Sequence, residues 1–569
     1  MVNPTSDSSR SRRVPGYIIV KLSIKHAPTA LIFHDTILAA LLAVALQLAV
    51  LGTVAEQRQP PNIVFIFADD LGWADVSFHG SAQIPTPNMD ALAADGVVLN
   101  NYYTQPVCTA SRAALMTGLY PIHTGMQSSV IQVAEAWGLP LQFKLMPQHF
   151  KDIGYVTHMV GKWHLGYLQD EYTPTYRGFD TFYGYYNGEE DFYNHTIREG
   201  THFGLDFWEG VSSANNESGH YSTTLFTDQA VKLIKSHNSS EPFFLYLSHQ
   251  APHGGVEVPL AAPKENIDKF SYIGEENRTV YAGMVDALDE SVGAVVEALQ
   301  EAGMLDNSVL VFSSDNGGAP WGTHASRGCN WPLRGSKVSL WEGASRVAAF
   351  LWSPLLAAHG RVSQQLMHVT DWLPTLYSAA GQISFLEHLD GIDMWWHLSE
   401  DIPSPRSDIL YNIDPVSNTA ALRHGDHKLV LGTTLGGRYD ERTPIPGSPR
   451  PDEDLDELTS SSKAARALRL LHNNASRTGA SAQWRQKAVL QCDDTSESSN
   501  FVSGAPPYLF DLSKDPCELH NLADTEAELL ASMKRKLEEY EATAMSPRLR
   551  PVDPNAFPEL HGGVWAPWE

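Results

Sequence analysis

The sequence predicts an α/β fold followed by a smaller C-terminal domain. Three observations lead there. Short apolar runs of buried-strand type stop abruptly at polar residues, helical patterns fill the intervals between them, and the texture changes near Ile402. At 569 residues, 43% hydrophobic and 10% aromatic, the chain is long and apolar enough for a large core and for more than one domain.

The elements follow in order. NIVFIFADD (Asn62 to Asp70) is an apolar run ending at two carboxylates, and TPNMDALAADG reads as a helix from a Thr cap to a terminal Gly. PVCTASRAALMTGLYPIHTG then sets Cys108, one of 4 cysteines, at the mouth of a short helix, with Ser111 and Arg112 just beyond it. Further strands are expected at YVTHMVG (Tyr155 to Gly161), EPFFLYLS (Glu241 to Ser248) and SVLVFSSDNGG (Ser308 to Gly318). Helices lie between them, most clearly from Thr279 to Gly303. Open α/β sheets collect their ligands at the polar ends of such strands. Beyond Ile402 come short strand-like pieces (DILYNI, HKLVLG, PYLFDL), a Ser/Asn/Arg-rich interruption, and a helix around Thr525 to Thr543. The expected division is 1–55, 56–400 and 401–569, with an irregular insertion near 436–500.

The first segment reads as an address. Arg10, Arg12, Arg13, Lys21 and Lys25 precede the uncharged run ILAALLAVALQLAVLGTVA, the layout of a signal peptide. The same run is near the minimum of about 17–25 residues that spans a bilayer, so a signal anchor is the alternative, and a membrane is a partner only if the segment stays uncleaved. Either reading sends the chain into the secretory pathway, to a lysosomal or secreted destination. Asn-x-Ser/Thr sequons at Asn194, Asn216, Asn238, Asn277 and Asn474 agree. A formal charge of -26 argues against nucleic acid as a partner, and any anionic ligand has to be met by a local group of cations.

Such a group is present among residues suited to chemistry. Asp69-Asp70 and Asp315-Asn316 offer hard oxygen side chains at two strand ends, which suit Ca²⁺ or Mg²⁺; turn formation is the alternative for each pair. In GKWHLG, Lys162 and His164 stand two apart, so in an extended segment both point one way, toward anion binding and proton transfer. His253 and Lys337 fit the same scheme, each with an idle surface role as its alternative.

CTASR resembles the sulfatase motif Cys-x-Pro-Ser-Arg, whose Cys is oxidised to formylglycine in the endoplasmic reticulum. NIVFIFADDLGWADV, GKWHLG, SSDNGG and DPCELHNLA are similar to that family in order and spacing from about Pro60 onward, and NWPLRGSKVSLWEG, HVTDWLPTL and GGVWAPWE look most like the arylsulfatase B, I and J subgroup. The resemblance implies an alkaline-phosphatase-like sulfatase fold, with a large mixed sheet flanked by helices and a C-terminal domain holding a short antiparallel sheet and a helix. It implies a sulfuric ester hydrolase acting on sulfated glycans of the N-acetylgalactosamine 4-sulfate type or on aryl sulfates, with the formylglycine-generating enzyme as a partner during biosynthesis. By the same resemblance Cys108, His164 and Arg112 are catalytic and Lys162, His253 and Lys337 bind substrate. Asp69, Asp70, Asp315 and Asn316, with residue 108, hold one Ca²⁺. Imidazolium at His164 and His253 implies an acidic optimum. DPCE resembles a disulfide-bearing segment, which pairs Cys492 with Cys517 and leaves Cys329 free. Ala110 stands where the motif has Pro, and Leu119 where many relatives have Arg or Lys. The alternatives are a non-catalytic, glycan-binding relative and a phosphatase or phosphodiesterase of the same superfamily.

Overall fold

The apolar runs become the centre of a 10-stranded sheet. A computed structural model describes residues 59–569 except 323–324, 383–385, 452–453, 473–483 and 493–498. The N-terminal address segment and the Asn474 sequon lie outside the described residues. In chain order the large sheet takes β1 (Asn62–Ala68), β2 (Val97–Tyr103), β3 (Val156–Lys162) and β4 (Thr181–Tyr185). A separate hairpin follows, β5 (Thr196–Glu199) with β6 (His202–Leu205). The sheet then adds β7 (Trp208–Glu209), β8 (Ser212–Ser213), β9 (Phe243–Ser248), β10 (Ser308–Ser314), β11 (Ala349–Trp352) and β12 (Arg361–His368). Across the sheet the order is β12-β2-β11-β10-β1-β9-β3-β4-β7-β8. Strands β10, β1, β9, β3 and β4 run parallel, whereas β11 is antiparallel to both its neighbours, so the sheet is mixed as expected.

Helices cover both faces, and β1 shows why its sequence is apolar throughout. Ile63, Phe65 and Phe67 enter one core with Ala113 to Met116 and Trp372. Val64, Ile66 and Ala68 enter the other with Phe226, Tyr281 and Leu288. A strand buried on both sides alternates between two apolar environments, so every position is hydrophobic. Each fully buried side chain of this size contributes about 1.5–3 kcal/mol. The helix expected from Thr279 to Gly303 runs Glu276–Glu301. Strands β2, β11 and β12 escaped the sequence reading because Asn100-Asn101 interrupts the first, the second has only four residues, and the third is a half-exposed, polar strand.

After residue 400, β13 (Asp408–Asp414), β14 (Thr419–His424), β15 (His427–Leu431) and β16 (Tyr508–Asp511) form an antiparallel sheet in that order. The helix Ala527–Glu541 packs Met533 and Leu537 onto it. The stretch near 436–500 is less irregular than expected: it holds helices Leu455–Ser461, Lys463–Leu471 and Trp484–Ala488. Ala464, Ala467 and Leu468 recur at helical spacing and join the core beneath the large sheet. Cys492 and Cys517 are bonded, and Cys329 is free and buried. Asn194, Asn216, Asn238 and Asn277 are all exposed. No helix of the described residues is long and apolar enough to cross a membrane.

A buried charge cluster joins the two sheets. Lys428 of β15 lies 3.0 Å from Glu342 and 2.7 Å from Glu518. Tyr103 and Tyr411 both donate their hydroxyls to Glu342. Burial raises the Glu342 carboxyl, yet Lys428, Arg346 and Arg423 outweigh it and hold the group down at about 2. Burial and the neighbouring Glu342 charge push Glu518 up to about 7, against the pull of Lys428. One ammonium thus serves two carboxyls, and Glu518 is the one held toward its protonated form. Because its folded pKa exceeds the unfolded value near 4.5, Glu518 contributes stability that is fully present below pH 4.5 and lost as pH rises through 7. Wild type is therefore expected to gain up to about 3 kcal/mol between pH 7.5 and 4.5 from this group, and Glu518→Gln to lack that increment. Urea unfolding at both pH values measures it; identical pH profiles for the two proteins would contradict it.

Candidate active site

Four adjacent parallel strands deliver the predicted residues to one edge of the sheet. Ala68 of β1 is level with Ser314 of β10, so Asp69 and Asp70 emerge beside Asp315 and Asn316. The Asp315 N–H donates to Ala68 O at 3.0 Å, and the Asp70 N–H donates to Asp315 Oδ1 at 3.3 Å. On the other side of β1, Ser248 of β9 is level with Phe67 and with Gly161 of β3, which places Lys162 next to Asp69. Gly161 is required there: a Cβ would lie 1.9 Å from Ser248 O, and φ is +102°. The order β10-β1-β9-β3 is what converts four separate sequence motifs into one site.

Cys108 is the first residue of the helix Cys108–Thr117. Ser111 ties the turn that enters it, accepting the Gln105 N–H and donating to Gln105 O, both at 3.0 Å. Arg112, one turn on from Cys108, is wholly buried. Its Nη2 and Nε donate to Asp315 Oδ2 at 2.8 and 3.2 Å, and its Nη1 donates to Ser248 Oγ and to Lys162 O. Lys162 Nζ is 2.5 Å from Asp69 Oδ2, and Lys337 Nζ is 2.8 Å from Asp70 Oδ1. His253 Nδ1 faces Gly254 O at 2.7 Å, while its Nε2 lies 3.6 Å from Asp70 Oδ2. Three carboxylates thus meet three cations out of water, and each charge depends on the others to be tolerated.

The electrostatics follow from burial and these pairs. Burial opposes ionisation of Asp69, but Lys162, His253 and Arg112 together keep it below the usual carboxylate range. Burial and the Asp69 charge raise Asp315. Burial disfavours the Lys337 ammonium, yet Asp70 and its neighbours raise it well above the ordinary value. The Cys108 thiol is pushed up by burial and by Asp315, against the pull of Lys162. Burial, then Lys162, drives His164 well below 6.5, and burial with Lys337 lowers His253. Both imidazoles are held toward the neutral form, contrary to the imidazolium expected from sequence.

The expectation for GKWHLG also needs correction. Strand β3 ends at Lys162, and His164 has a left-handed φ of 57°, so the two side chains diverge. Lys162 turns to Asp69, whereas His164 faces Ile131 O with Nε2 at 3.0 Å, leaving Nδ1 buried without a partner. Asp70 and Val338 are left-handed as well, at 61° and 71°. For a β-branched residue this is a true outlier, held by the Val338 N–H donating to Pro106 O at 2.8 Å, and it fixes the turn that carries Lys337.

A cleft of about 410 Å³ opens above this cluster. Cys108, His164, His253 and Lys337 line it; Asp69, Asp70, Arg112, Lys162, Asp315 and Asn316 are buried behind its floor. Sequence reasoning missed Glu189, which lies 3.8 Å from His253 Nδ1, and the cleft wall supplied by Asn412, Thr419, Leu435 and Tyr439. Nothing in NGEEDF marks Glu189 apart from other turn carboxylates.

The residues present fit a hard divalent cation. One ligand atom each from Asp69, Asp70, Cys108 and His253 lie within 4.8 Å of one another. Asn316 Nδ2 donates to Asp70 Oδ1 at 2.6 Å, and Asn316 Oδ1 is buried with no hydrogen bond, an acceptor left for a ligand outside the chain.

The sulfatase family profile matches residues 61–382, and the chain belongs to the sulfatase family. Arylsulfatase J of Mus musculus is 38% identical over 516 residues, 89% of this chain and 80% of its own. Arylsulfatase A of Homo sapiens is 29% identical over 87% of this chain and 89% of its own. N-acetylgalactosamine-6-sulfatase of Homo sapiens is 33% identical over 57% of this chain and 62% of its own. Among solved structures, Ps i-CgsB in complex with k-i-k-neocarrahexaose superposes with a TM-score of 0.67 at 27% identity, covering 87% of this chain and 96% of that one. The chain is an arylsulfatase, a sulfuric ester hydrolase, with a sulfate ester as its substrate.

One further residue is assigned by sterics. A Cβ at Gly188 would come within 2.7 Å of the His164 ring, so only glycine lets the imidazole lie where it does. Gly188→Ala is expected to cut kcat for 4-nitrophenyl sulfate by about tenfold or more through a displaced His164, an effect of about 1.4 kcal/mol on the barrier. Steady-state kinetics with a parallel melting curve measure this; unchanged kcat in a folded variant would refute it.

Proposed function

We propose that the chain removes sulfate from glycans of the N-acetylgalactosamine 4-sulfate type and from small aryl sulfates, using residue 108 as formylglycine beside one Ca²⁺. The observation that carries this reading is the place of Cys108: it lines the cleft at a helix start, and its Sγ groups with ligand atoms of Asp69, Asp70 and His253 within 4.8 Å of one another. Hydrated formylglycine supplies a hydroxyl nucleophile where the thiol has none. Asp69, Asp70, Asp315, Asn316 and the residue-108 side chain would hold the Ca²⁺, which would supply Lewis-acid chemistry when bound.

The remaining work falls to the chain's own groups. Lys337 and His253 at the cleft floor meet the sulfate oxygens, Lys337 balancing their charge and His253 hydrogen-bonding to them. His164 is the proton acceptor for the residue-108 hydroxyl, because its Nε2 is engaged at Ile131 O and its Nδ1 lone pair is unused. Arg112 and Lys162 act from behind the floor, Arg112 by fixing Asp315 and Lys162 by fixing Asp69. Their role is to hold carboxylates in place rather than to touch substrate. Exposed sequons, the Cys492–Cys517 bond and the N-terminal address together support a lysosomal or secreted location.

Ala110 bears on how much enzyme is active. It occupies the third position of the helix, inside the first turn, where a backbone N–H has no intrahelical partner and proline is tolerated. Conversion at CTASR is expected to be partial, giving aldehyde and thiol mixed at position 108. Ala110→Pro should raise the aldehyde fraction and the specific activity in proportion, with KM unchanged. Mass spectrometry of the residue-108 peptide, after co-expression with the converting enzyme, reads this directly; a wholly unconverted peptide together with undiminished turnover would overturn the proposed chemistry.

A further inference from the structure

The cleft lining is chemically uneven. The Lys337 ammonium and the imidazoles of His164 and His253 line it together with Cys108. Beyond them, among the described lining residues, no Lys or Arg appears; one wall is neutral and hydrogen-bonding, with Gln127, Ser129, Gln132, Asn412 and Thr419. The Asp414 carboxylate is used up internally, by Ser128, Ser417 and the Val416 N–H. The Glu189 carboxylate lies back beside His253, 3.8 Å from its Nδ1.

The rim is aromatic and apolar. Trp321 and Tyr439 stack with ring centroids 4.8 Å apart and planes 10° from parallel, and Trp321 Nε1 donates to Thr443 Oγ1 at 3.2 Å. Tyr439 is buried and Trp321 half-buried, so Trp321 is the outer ring. Beside them Leu435 is 71% exposed at the tip of a turn in which Leu435, Gly436 and Gly437 have φ of 47°, 68° and 90°. A leucine held left-handed in solvent at a cleft mouth is neither a core residue nor a favoured turn residue. Its placement makes sense against an apolar surface of a ligand.

We infer that this rim, Trp321 stacked on Tyr439 with Leu435 beside it, is a subsite for a second, uncharged pyranose ring joined to the sulfated sugar. A pyranose presents a C–H face to an aromatic ring and hydroxyls at its edge, which matches one stacked wall and one amide- and hydroxyl-lined wall. Among the described lining residues a uronate or a second sulfate would find no Lys or Arg besides Lys337, which is already paired with Asp70, in a chain of charge -26. The inference rests on the sulfate-ester reading and narrows its substrate class.

The test uses the full chain converted at residue 108 and three substrates: 4-nitrophenyl sulfate, and a sulfated N-acetylgalactosamine linked either to a neutral hexose or to a hexuronate. In Trp321→Ala and in Leu435→Asn, KM for the neutral-linked disaccharide is expected to rise about three- to tenfold, with kcat/KM for 4-nitrophenyl sulfate within about twofold of wild type. Wild type should prefer the neutral-linked disaccharide by at least about fivefold in kcat/KM. Equal effects on all substrates, no effect on any, or no preference between the disaccharides would overturn the subsite. Should no sulfate ester be turned over at all, it is the proposed reaction that fails. Saturation-transfer NMR of the neutral-linked disaccharide on the Cys108→Ala protein then decides the subsite alone: transfer to the hexose C–H protons, lost in Trp321→Ala, supports it, and absence of transfer refutes it.

Discussion

Three carboxylates at the ends of adjacent parallel strands, with the three cations that meet them from β3, a helix and a turn, constrain the rest of this structure. Asp69, Asp70 and Asp315 would each be strongly disfavoured as isolated buried charges, and so would Arg112, Lys162 and Lys337. They are tolerated only as a set, so the strands that carry them must be neighbours. That accounts for the order β10-β1-β9-β3 at the centre of the sheet and for the glycine at 161, where β3 approaches β9 too closely for any side chain. It also accounts for Arg112, whose guanidinium bridges Asp315 at the end of β10, Ser248 of β9 and Lys162 of β3.

The same cluster explains where the backbone is forced into unusual conformations. Asp70, His164 and Val338 all adopt left-handed φ, and each turns a functional side chain, its own or that of Lys337, toward the site. Such conformations persist where surrounding contacts over-determine them, as the Val338–Pro106 and His164–Ile131 bonds do. The C-terminal sheet has a second task in addition to packing. Through Asn412, Thr419 and the turn at Leu435 it closes one wall of the cleft, so the part of the chain farthest in sequence from the buried charges shapes what reaches them.

The core of the site was legible from sequence because strand ends followed by Asp-Asp or Asp-Asn-Gly-Gly combine a strong apolar signal with residues of known chemistry. Motif resemblance then tied Cys108 to them. What sequence could not show is direction. Lys162 and His164 stand two apart, yet a single left-handed residue sends one under the floor and the other into the cleft. Nor could residue types reveal that Arg112 works from behind, or that burial would keep both histidines toward neutral. Glu189, Trp321 and Tyr439 carry no local signal, since their importance comes from long-range packing. The short or polar strands β11 and β12 were hidden for the same reason: tertiary context, not propensity, makes them strands.

We propose that the strand-end carboxylates and Asn316 form a site for one hard divalent cation, balanced from behind by Arg112 and Lys162 and from the cleft by Lys337. Metal analysis and thermal unfolding of chelator-stripped protein, with and without added Ca²⁺, read this out. One Ca²⁺ per wild-type chain is expected, with a stabilisation of about 2.7 kcal/mol at a free concentration one hundred times Kd, and neither in Asp70→Asn carrying Asn316→Ala. Wild type that binds no divalent cation, or a double variant that binds it as tightly as wild type, would contradict it.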